Sequence, residues 1–491
     1  MQIIYNRNGT LRAKRNNRLE RSFLMDPVLI ARLQFAATTI FHYFYVPVSI
    51  GMAFTIAIMQ TMYVIKKNDI YKKMVKFFAV LLLINFAVGV VTGIFQEFQF
   101  GMNWSDYSRY VGDVFGPSLA IEGLLAFFLE STFLGIWVFG WNRLGKKTHL
   151  ASIWLVSLGS VFSAFWILTA NSFMHNPVGF ELEGGRAQMN DFLAILGNPH
   201  FWAQFPHVLL TSLTTGTFII AGISAWKILR KHQLEMFKKA FKISITILAA
   251  ASFVTLFTGH WQAQHLVEEQ PMKMAAVEAL WEESGDPAPF NVVASINEEE
   301  KENNFEVQIP MVLSFLSYNQ FEGSVTGLND MQEFYEDKYG PGDYIPNVTV
   351  LFWSFRVMTG IGGLMVLLGL YGSYASRKTA LQDRRLYLNL MVYGMIFPFV
   401  ANTAGWLITE MGRQPWVVFG FMKTEDAISP SVTANEMLFS LLSFTAIYTI
   451  LGVLTVYLFQ KHIKKNDDPE DTKEEMTEDP FDNEGGNEVG S

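Results

Sequence analysis

Residues 43–65 read YFYVPVSIGMAFTIAIMQTMYVI and contain no charged side chain. A helix of this length rises about 35 Å at 1.5 Å per residue, enough to cross a hydrocarbon core roughly 30 Å thick. The stretch therefore predicts a membrane-spanning helix. Its beginning extends to about Pro27, so that the helix also includes Arg32 and His42.

Comparable apolar runs recur along the chain. Half of the residues are hydrophobic and 17% are charged, whereas soluble domains carry roughly 25% charged residues. We predict an all-α, polytopic integral membrane protein with about nine transmembrane helices packed as bundles. The eight further spans are residues 78–96, 117–141, 151–174, 208–226, 243–259, 357–376, 386–409 and 437–460.

The distribution of lysine and arginine predicts the orientation. Alternate connections carry 21 basic residues on one side and 7 on the other. Because cytoplasmic connections are enriched in Lys and Arg, the rich side is predicted to be cytoplasmic. The acidic C-terminal tail would then lie in the cytoplasm, and the long polar connection after the sixth span would lie outside.

These features divide the chain into five parts. Residues 1–24 hold six basic residues and no apolar run, so they are interpreted as an N-terminal extension, with Met1 or Met25 as the start. Spans 1–6 occupy residues 25–260, an extracytoplasmic loop residues 261–346, and spans 7–9 residues 347–462. Residues 463–491 are predicted to be a disordered acidic tail.

Ionisable side chains inside spans are expensive and therefore suggest function. Most of those found here fall in the outer half of the bilayer, whereas Glu130 lies about 12 Å below Glu122 along one helix. Such residues fit either a secondary transporter or a redox protein. They are Arg32, His42, Glu122, Glu130, His207 and Arg356, with Glu97 and Glu410 at span ends.

The chain has no cysteine, so a metal or haem must be held by His, Met or a carboxylate. A His/Met pair gives a low-spin haem suited to electron transfer, and His207 and Met358 have the right types at similar depth. An oxygen-reducing haem needs only one protein ligand, for which His42, Glu122 and Glu410 are candidates. Arginine could neutralise haem propionates; the candidates are Arg32, Arg356 and Arg413.

Residues 405–416, GWLITEMGRQPW, place aromatic side chains and a charge pair at an outer membrane boundary. Together with several other motifs in order, this segment resembles subunit I of cytochrome bd-type quinol oxidases, of the short-loop type, from about Arg32 to the last span. The other matching motifs are RLQFA at 32–36 with His42 and VP at 46–47, EFQFG at 97–101 with NW at 103–104, IEG at 121–123 and FFLEST at 127–132.

The resemblance implies roles for particular residues. His207, in FPH at 205–207, and Met358, in FRVM at 355–358, would be the axial ligands of a low-spin haem b. His42, Glu122 and Glu410 would serve the two high-spin haems, one of b type and the other haem d or a third haem b. Glu130 would be a carboxylate of the proton pathway, and Trp406 and Arg413 would neighbour haem.

The outer loop contains QPMK at 270–273 and AAVE at 275–278, which resemble the quinol-binding stretch of the family. Lys273 and Glu278 would bind or deprotonate ubiquinol or menaquinol, with Gln270 nearby. Residues five apart lie on different faces of a helix, so a turn or a partner would be needed to bring them together. His260 and His265 receive no role.

The implied protein is the haem-bearing subunit of a respiratory oxidase in the bacterial cytoplasmic membrane. It would oxidise quinol outside, reduce oxygen with protons from the cytoplasm and build a proton gradient without a pump. It would act with subunit II and small accessory subunits. Two alternatives remain: a cyanide-insensitive oxidase with only b-type haems, and a secondary transporter. Transporters commonly show internal repeats, and this sequence shows no clear one.

Overall fold

The computed structural model describes residues 26–377 and 381–465. Within these ranges nine helices are long and apolar enough to cross a membrane, which confirms the predicted fold class. They are α1 (Pro27–Lys66), α2 (Asp69–Met102), α3 (Ser105–Phe139), α4 (Lys146–His175), α5 (Pro199–Leu229), α6 (Leu234–Glu269), α7 (Val348–Ala375), α8 (Arg385–Met411) and α9 (Ala434–Lys465).

Local sequence explains where several helices begin. Asp26, Asn68, Asn198 and Asn347 each precede a helix and accept a hydrogen bond from a backbone N–H of its first turn. Such caps satisfy amide groups that have no partner inside the helix. The helices therefore extend beyond the predicted apolar spans into polar sequence. The predicted terminal extension and nearly all of the predicted tail lie outside the described residues.

The connections differ between the two ends of the bundle. One end, here named the basic side, carries short links such as that between Lys66 and Asp69. The opposite end, named the loop side, carries the three long connections, residues 176–198, 270–347 and 412–433. The last of these connections contacts the loop-side end of α4 and the link between α2 and α3: Phe419 N–H donates to Met174 C=O, and Ser429 N–H donates to Asn103 C=O, both at 2.9 Å.

Small additions accompany the helices. Three two-stranded antiparallel hairpins occur in the described chain: β1 (Phe180–Glu183) with β2 (Arg186–Met189), β3 (Phe290–Asn297) with β4 (Glu302–Ile309), and β5 (Trp416–Val418) with β6 (Met422–Lys423). The long loop begins after Glu269, later than predicted, because the helix α6 continues to that residue. It also contains the helices Pro271–Glu278, Val312–Tyr318 and Leu328–Tyr339.

The centre of the bundle depends on a close crossing of α1 and α5. A Cβ atom added at Gly51 would lie 2.5 Å from the Ser212 carbonyl oxygen, and one at Gly216 would lie 2.5 Å from the Gly51 backbone. Only hydrogen fits at either position, because backbone atoms cannot move aside as a flexible side chain can. Small residues at helix crossings commonly allow such contacts in membranes.

This crossing predicts the effect of Gly216→Ala. The added methyl group would push α1 and α5 apart, and we expect destabilisation of about 1–3 kcal/mol, typical of overpacking. Thermal unfolding of the purified complex would measure it. The control is Gly360→Ala on α7, where a Cβ meets nothing within 4 Å. Equal unfolding midpoints for the two variants would contradict the prediction.

Candidate functional site

His42 on α1 points towards α2. Its Nδ1 lies 3.0 Å from Thr92 Oγ1, and a Cβ at Gly93 would lie 3.1 Å from its Cε1. His207 on α5 has the same environment on α6: its Nδ1 lies 3.3 Å from Thr258 Oγ1, and a Cβ at Gly259 would lie 3.2 Å from Cε1. Both rings therefore have Nδ1 held and Nε2 available.

Met358 lies on α7 beside α8. A Cβ at Gly405 would come within 3.1 Å of its Sδ. Met358 is ten residues into α7, and Thr258, the partner of His207, is eleven residues before the end of α6. Both therefore lie about 15 Å below the loop-side helix ends at 1.5 Å per residue. The similarity of depth between His207 and Met358 stays a prediction.

Glu122 and Glu130 lie on α3 and face α4. Glu122 begins a six-residue π-helical segment, Glu122–Phe127, a local irregularity common at functional sites. The Ser163 hydroxyl donates to Glu122 Oε1 at 2.5 Å, and the Ser160 hydroxyl donates to Glu130 Oε1 at 2.5 Å. Serines spaced three apart on α4 thus provide each carboxyl with a polar partner.

Glu410 lies at the loop-side end of α8, where it accepts hydrogen bonds from two side chains and lies near a third polar one. Its carboxylate pairs with Arg413, accepts from Asn171 Nδ2 at 2.9 Å and lies 3.5 Å from His175 Nε2. Arg413 is buried and also donates to the carbonyls of residues 416 and 417. The expected charge pair in the 405–416 segment is therefore formed.

Two other predicted residues have different surroundings. The ring of Trp406 packs edge-to-face against Tyr43 at 5.2 Å, so it joins α8 to α1 close to His42. Arg32 is exposed near the loop-side end of α1.

Arg356 on α7 holds the outer loop to the bundle. Its guanidinium pairs with Glu278 at 2.7 Å and donates to the carbonyls of Val277 and Asn291. The guanidinium carbon also lies 3.8 Å from the ring centroid of Phe352. The Glu278 side chain is only 1% exposed, so the pair is a buried clamp between loop and membrane helix.

Lys273 faces away from that clamp. Its Nζ lies 3.4 Å from His175 Nδ1, while Gln270 donates to the His175 carbonyl at 2.8 Å. The helix Pro271–Glu278 therefore presents Gln270 and Lys273 towards α4 and Glu278 towards α7. Lys273 and Glu278 therefore do not meet at one point, because residues five apart lie on different faces of a helix.

Burial shifts the pKa values of the Lys273 and Glu278 side chains towards neutral pH. It lowers the pKa of the Lys273 ammonium to about 7, with a further lowering from the Arg413 charge. It raises the pKa of the Glu278 carboxyl to about 7, although Arg356 acts in the opposite direction. Transfer from water disfavours the charged form of each group. Both can therefore exchange protons near neutral pH.

Sequence reasoning missed a cluster of buried imidazoles. The rings of His175 and His200 stack with centroids 4.7 Å apart, and His200 Nδ1 lies 3.1 Å from His265 Nε2. Lys273 joins them through His175. The three histidines lie near the loop-side ends of α4, α5 and α6, so the predicted topology alone could have placed them at one level.

The donor set fits haem. Metal-bound histidine commonly has its second ring nitrogen held by a hydrogen-bonding partner, as Thr92 and Thr258 hold His42 and His207. A glycine beside each imidazole and beside Met358 lets these side chains pack closely against the neighbouring helix. The fold and these sites define a polytopic membrane protein suited to holding redox cofactors near one face of the membrane.

Comparisons with known proteins give the family. The model of the family described as cytochrome bd terminal oxidase subunit I matches residues 30–467. The chain is 54% identical to cytochrome bd ubiquinol oxidase subunit 1 of Bacillus subtilis (strain 168), covering 90% of this chain and 94% of that protein. The chain therefore belongs to the family of subunit I of the cytochrome bd terminal oxidases, and the predicted resemblance is confirmed.

Two further comparisons agree. Cytochrome bd-II ubiquinol oxidase subunit 1 of Escherichia coli (strain K12) is 36% identical over 90% of this chain and 97% of that protein. A chain in the structure of the bd oxidase from Geobacillus thermodenitrificans matches with a TM-score of 0.82 and 30% identity, covering 90% of this chain and 99% of that chain.

The buried clamp predicts the result of Glu278→Ala. Removing the carboxylate leaves the Arg356 charge buried without its partner, which typically costs about 3–5 kcal/mol. We expect a clear fall in the thermal unfolding midpoint of the complex. Glu333→Ala, at an exposed position of the same loop, is the control and should leave the midpoint unchanged. A midpoint unaffected by Glu278→Ala would show that the clamp does not stabilise the fold.

Proposed function

We propose that this chain is the haem-bearing subunit of a respiratory oxidase that oxidises membrane quinol and reduces oxygen to water. The observation that carries the proposal is that His207 and Met358 lie eight and ten residues from the loop-side ends of their helices, beneath a loop that buries Lys273 and Glu278. The candidate haem ligands and the candidate proton acceptors thus lie towards the same end of the helix bundle.

The candidate ligands have separate tasks. His207 and Met358 would hold a low-spin haem b, while His42, Glu122 and Glu410 would serve two high-spin haems, one of b type and the other haem d or a third haem b. Haem bound there would supply one-electron redox chemistry and an open position for oxygen. The protein's own contribution is to orient the imidazoles through Thr92 and Thr258.

Quinol oxidation requires groups that accept the hydroxyl protons. Lys273 as the neutral amine and Glu278 as the carboxylate can both do so near pH 7, because burial brings their pKa values there. Since they lie on opposite faces of one short helix, we propose that each takes one proton of the quinol or acts at a successive stage. Gln270 supports the Lys273 side through its bond to α4.

Protons for water formation would come from the basic side. Gln60, Trp137 and His149 form a buried hydrogen-bonded group near that end, with contacts of 2.7 Å. Further along α3 and α4, Glu130 and Glu122 are held by serines. We propose that these carboxyls store and pass protons towards the loop side, with Glu130 the deeper of the two.

Orientation and partners complete the proposal. The basic side is assigned to the cytoplasm by its lysine and arginine content, so quinol protons are released outside and water-forming protons are taken from inside, which builds a gradient without a pump. Subunit II and small accessory subunits would cover part of the exposed apolar surface of α3 and α9. The substrate would be ubiquinol or menaquinol in the bacterial cytoplasmic membrane.

The first test is the reduced-minus-oxidised absorbance spectrum of the purified complex. A red-shifted chlorin band beside b-type bands is expected if haem d is present, and b-type bands alone would indicate a third haem b. A complex expressed with adequate haem supply but lacking haem bands would overturn the proposal.

Substitution of His207 or Met358, the proposed axial ligands, should remove the absorbance of the low-spin haem b alone. His207→Leu and Met358→Leu are each expected to lose the low-spin b signal while retaining the remaining bands, and to lose quinol oxidation. Met365→Leu, a volume-conserving change at a buried position on the same helix as Met358, should keep both. Retention of a full low-spin signal in both test variants would exclude these residues as ligands.

The loop groups predict a pH dependence. Lys273 accepts a proton only when neutral and Glu278 only when ionised, so both conditions are met above a pKa of about 7. Because each group is deprotonated in about one-tenth of the molecules at pH 6 and about nine-tenths at pH 8, we expect kcat/KM for quinol to be about 100-fold lower at pH 6 than at pH 8. Lys273→Met should lower kcat/KM throughout, whereas Lys338→Met, at an exposed loop position, should not. A flat wild-type profile would contradict this assignment.

A further inference from the structure

One face of the β3–β4 hairpin is apolar and exposed. Phe305, Val307 and Ile309 alternate along β4 and therefore project from the same face. Their exposed fractions are 59%, 44% and 47%. The pairing places Asn291 and Ala294 of β3 on the opposite face, where both are buried. A hairpin surrounded by water would be expected to show polar residues on its outward face instead.

The chain continues this surface after β4. Met311, Phe315 and Phe321 are exposed, while Leu313 and Ser314 of the intervening helix are buried against the loop. The rings of Phe315 and Phe321 stack at 5.3 Å. We name the combined surface the apolar ledge; it consists of Phe305, Val307, Ile309, Met311, Phe315 and Phe321.

The apolar ledge is attached to a membrane helix. His260 of α6 stacks on Phe315 with ring centroids 5.9 Å apart, and its Nε2 lies 2.7 Å from Asn319 Oδ1. These contacts hold the apolar ledge beside the loop-side part of α6.

The side of α6 below this contact is also apolar and exposed. Phe253, Phe257 and Trp261 recur every four residues and form one stripe. Phe257 lies within the predicted span, about 6 Å below Trp261 at 1.5 Å per residue. Tryptophan is enriched at the membrane–water boundary. The stripe and the apolar ledge thus meet at the level where the bilayer ends.

We infer that the apolar ledge is immersed in the loop-side leaflet and contacts lipid. Its continuity with the lipid-facing stripe of α6 favours lipid as the occupant. Glu306 and Gln308 project from the opposite side of β4 and are exposed, although the β3 residues paired with them are buried. These two side chains and the acidic turn at Glu299 and Glu300 then remain in water. The same hairpin carries Asn291, whose carbonyl accepts a hydrogen bond from Arg356 of α7. Lipid contact at the ledge would therefore help to set the depth at which the outer loop sits against the membrane helices. The inference does not depend on haem or quinol binding.

Site-directed spin labelling of the complex in phosphatidylcholine/phosphatidylglycerol vesicles tests this inference. The chain has no cysteine, so Phe305→Cys and Phe321→Cys each introduce one label site at an exposed position. Glu306→Cys is the matched control on the opposite face of the same strand, and Phe257→Cys is the lipid reference. Collision rates with oxygen and with a water-soluble nickel chelate are measured, after subtraction of the signal from labelled complex without these changes.

Labels at 305 and 321 are expected to collide mainly with oxygen, as at 257, whereas the label at 306 should collide mainly with the nickel chelate. Nickel accessibility at 305 and 321 equal to that at 306 would place the ledge in water and overturn the inference. Low accessibility to both reagents would show that another protein covers the ledge, which would overturn it equally.

Discussion

A bilayer core offers no hydrogen-bonding partners, and this constraint shapes the whole chain. Backbone groups in the core must bond within their own segment, which permits helices and excludes open strands and loops. The three hairpins and the irregular connections accordingly lie at the loop side, outside the spans. The same constraint applies to side chains: Glu122 and Glu130 inside the bundle each accept a serine hydroxyl from α4.

The outer loop behaves as part of the protein interior. The helix Pro271–Glu278 is buried throughout from Met272 onward, and Arg356 ties it to α7 through one carboxylate and two carbonyl groups. Such burial would be a liability for Lys273 and Glu278 in a purely structural segment. Here it shifts the pKa values of both groups to about 7, as their proposed role in accepting quinol protons requires.

Polar side chains at the loop side contact one another in a chain that begins at the end of α8. Glu410 connects Arg413 with His175, and His175 connects Lys273 with the stacked imidazole of His200. The proposed quinol site and the proposed haem environment are therefore joined by contacts between neighbouring side chains. A substitution in this group is expected to perturb several members at once, because buried polar networks lose more than one interaction when a member is removed.

Sequence by itself determined the number of spans and the residue types available to hold haem, because apolar length and the absence of cysteine are properties of the chain. The distribution of lysine and arginine predicts the sidedness of the spans. It also predicts that His207 and Met358 lie at similar depth, since depth follows from position along a span. Tertiary structure alone decided which side chains meet. The Arg356–Glu278 clamp, the separation of Lys273 from Glu278 and the meeting of His175, His200 and His265 depend on how the helices are rotated and packed. That packing is set by contacts between residues distant in sequence, such as Gly51 with Gly216, which no local pattern specifies.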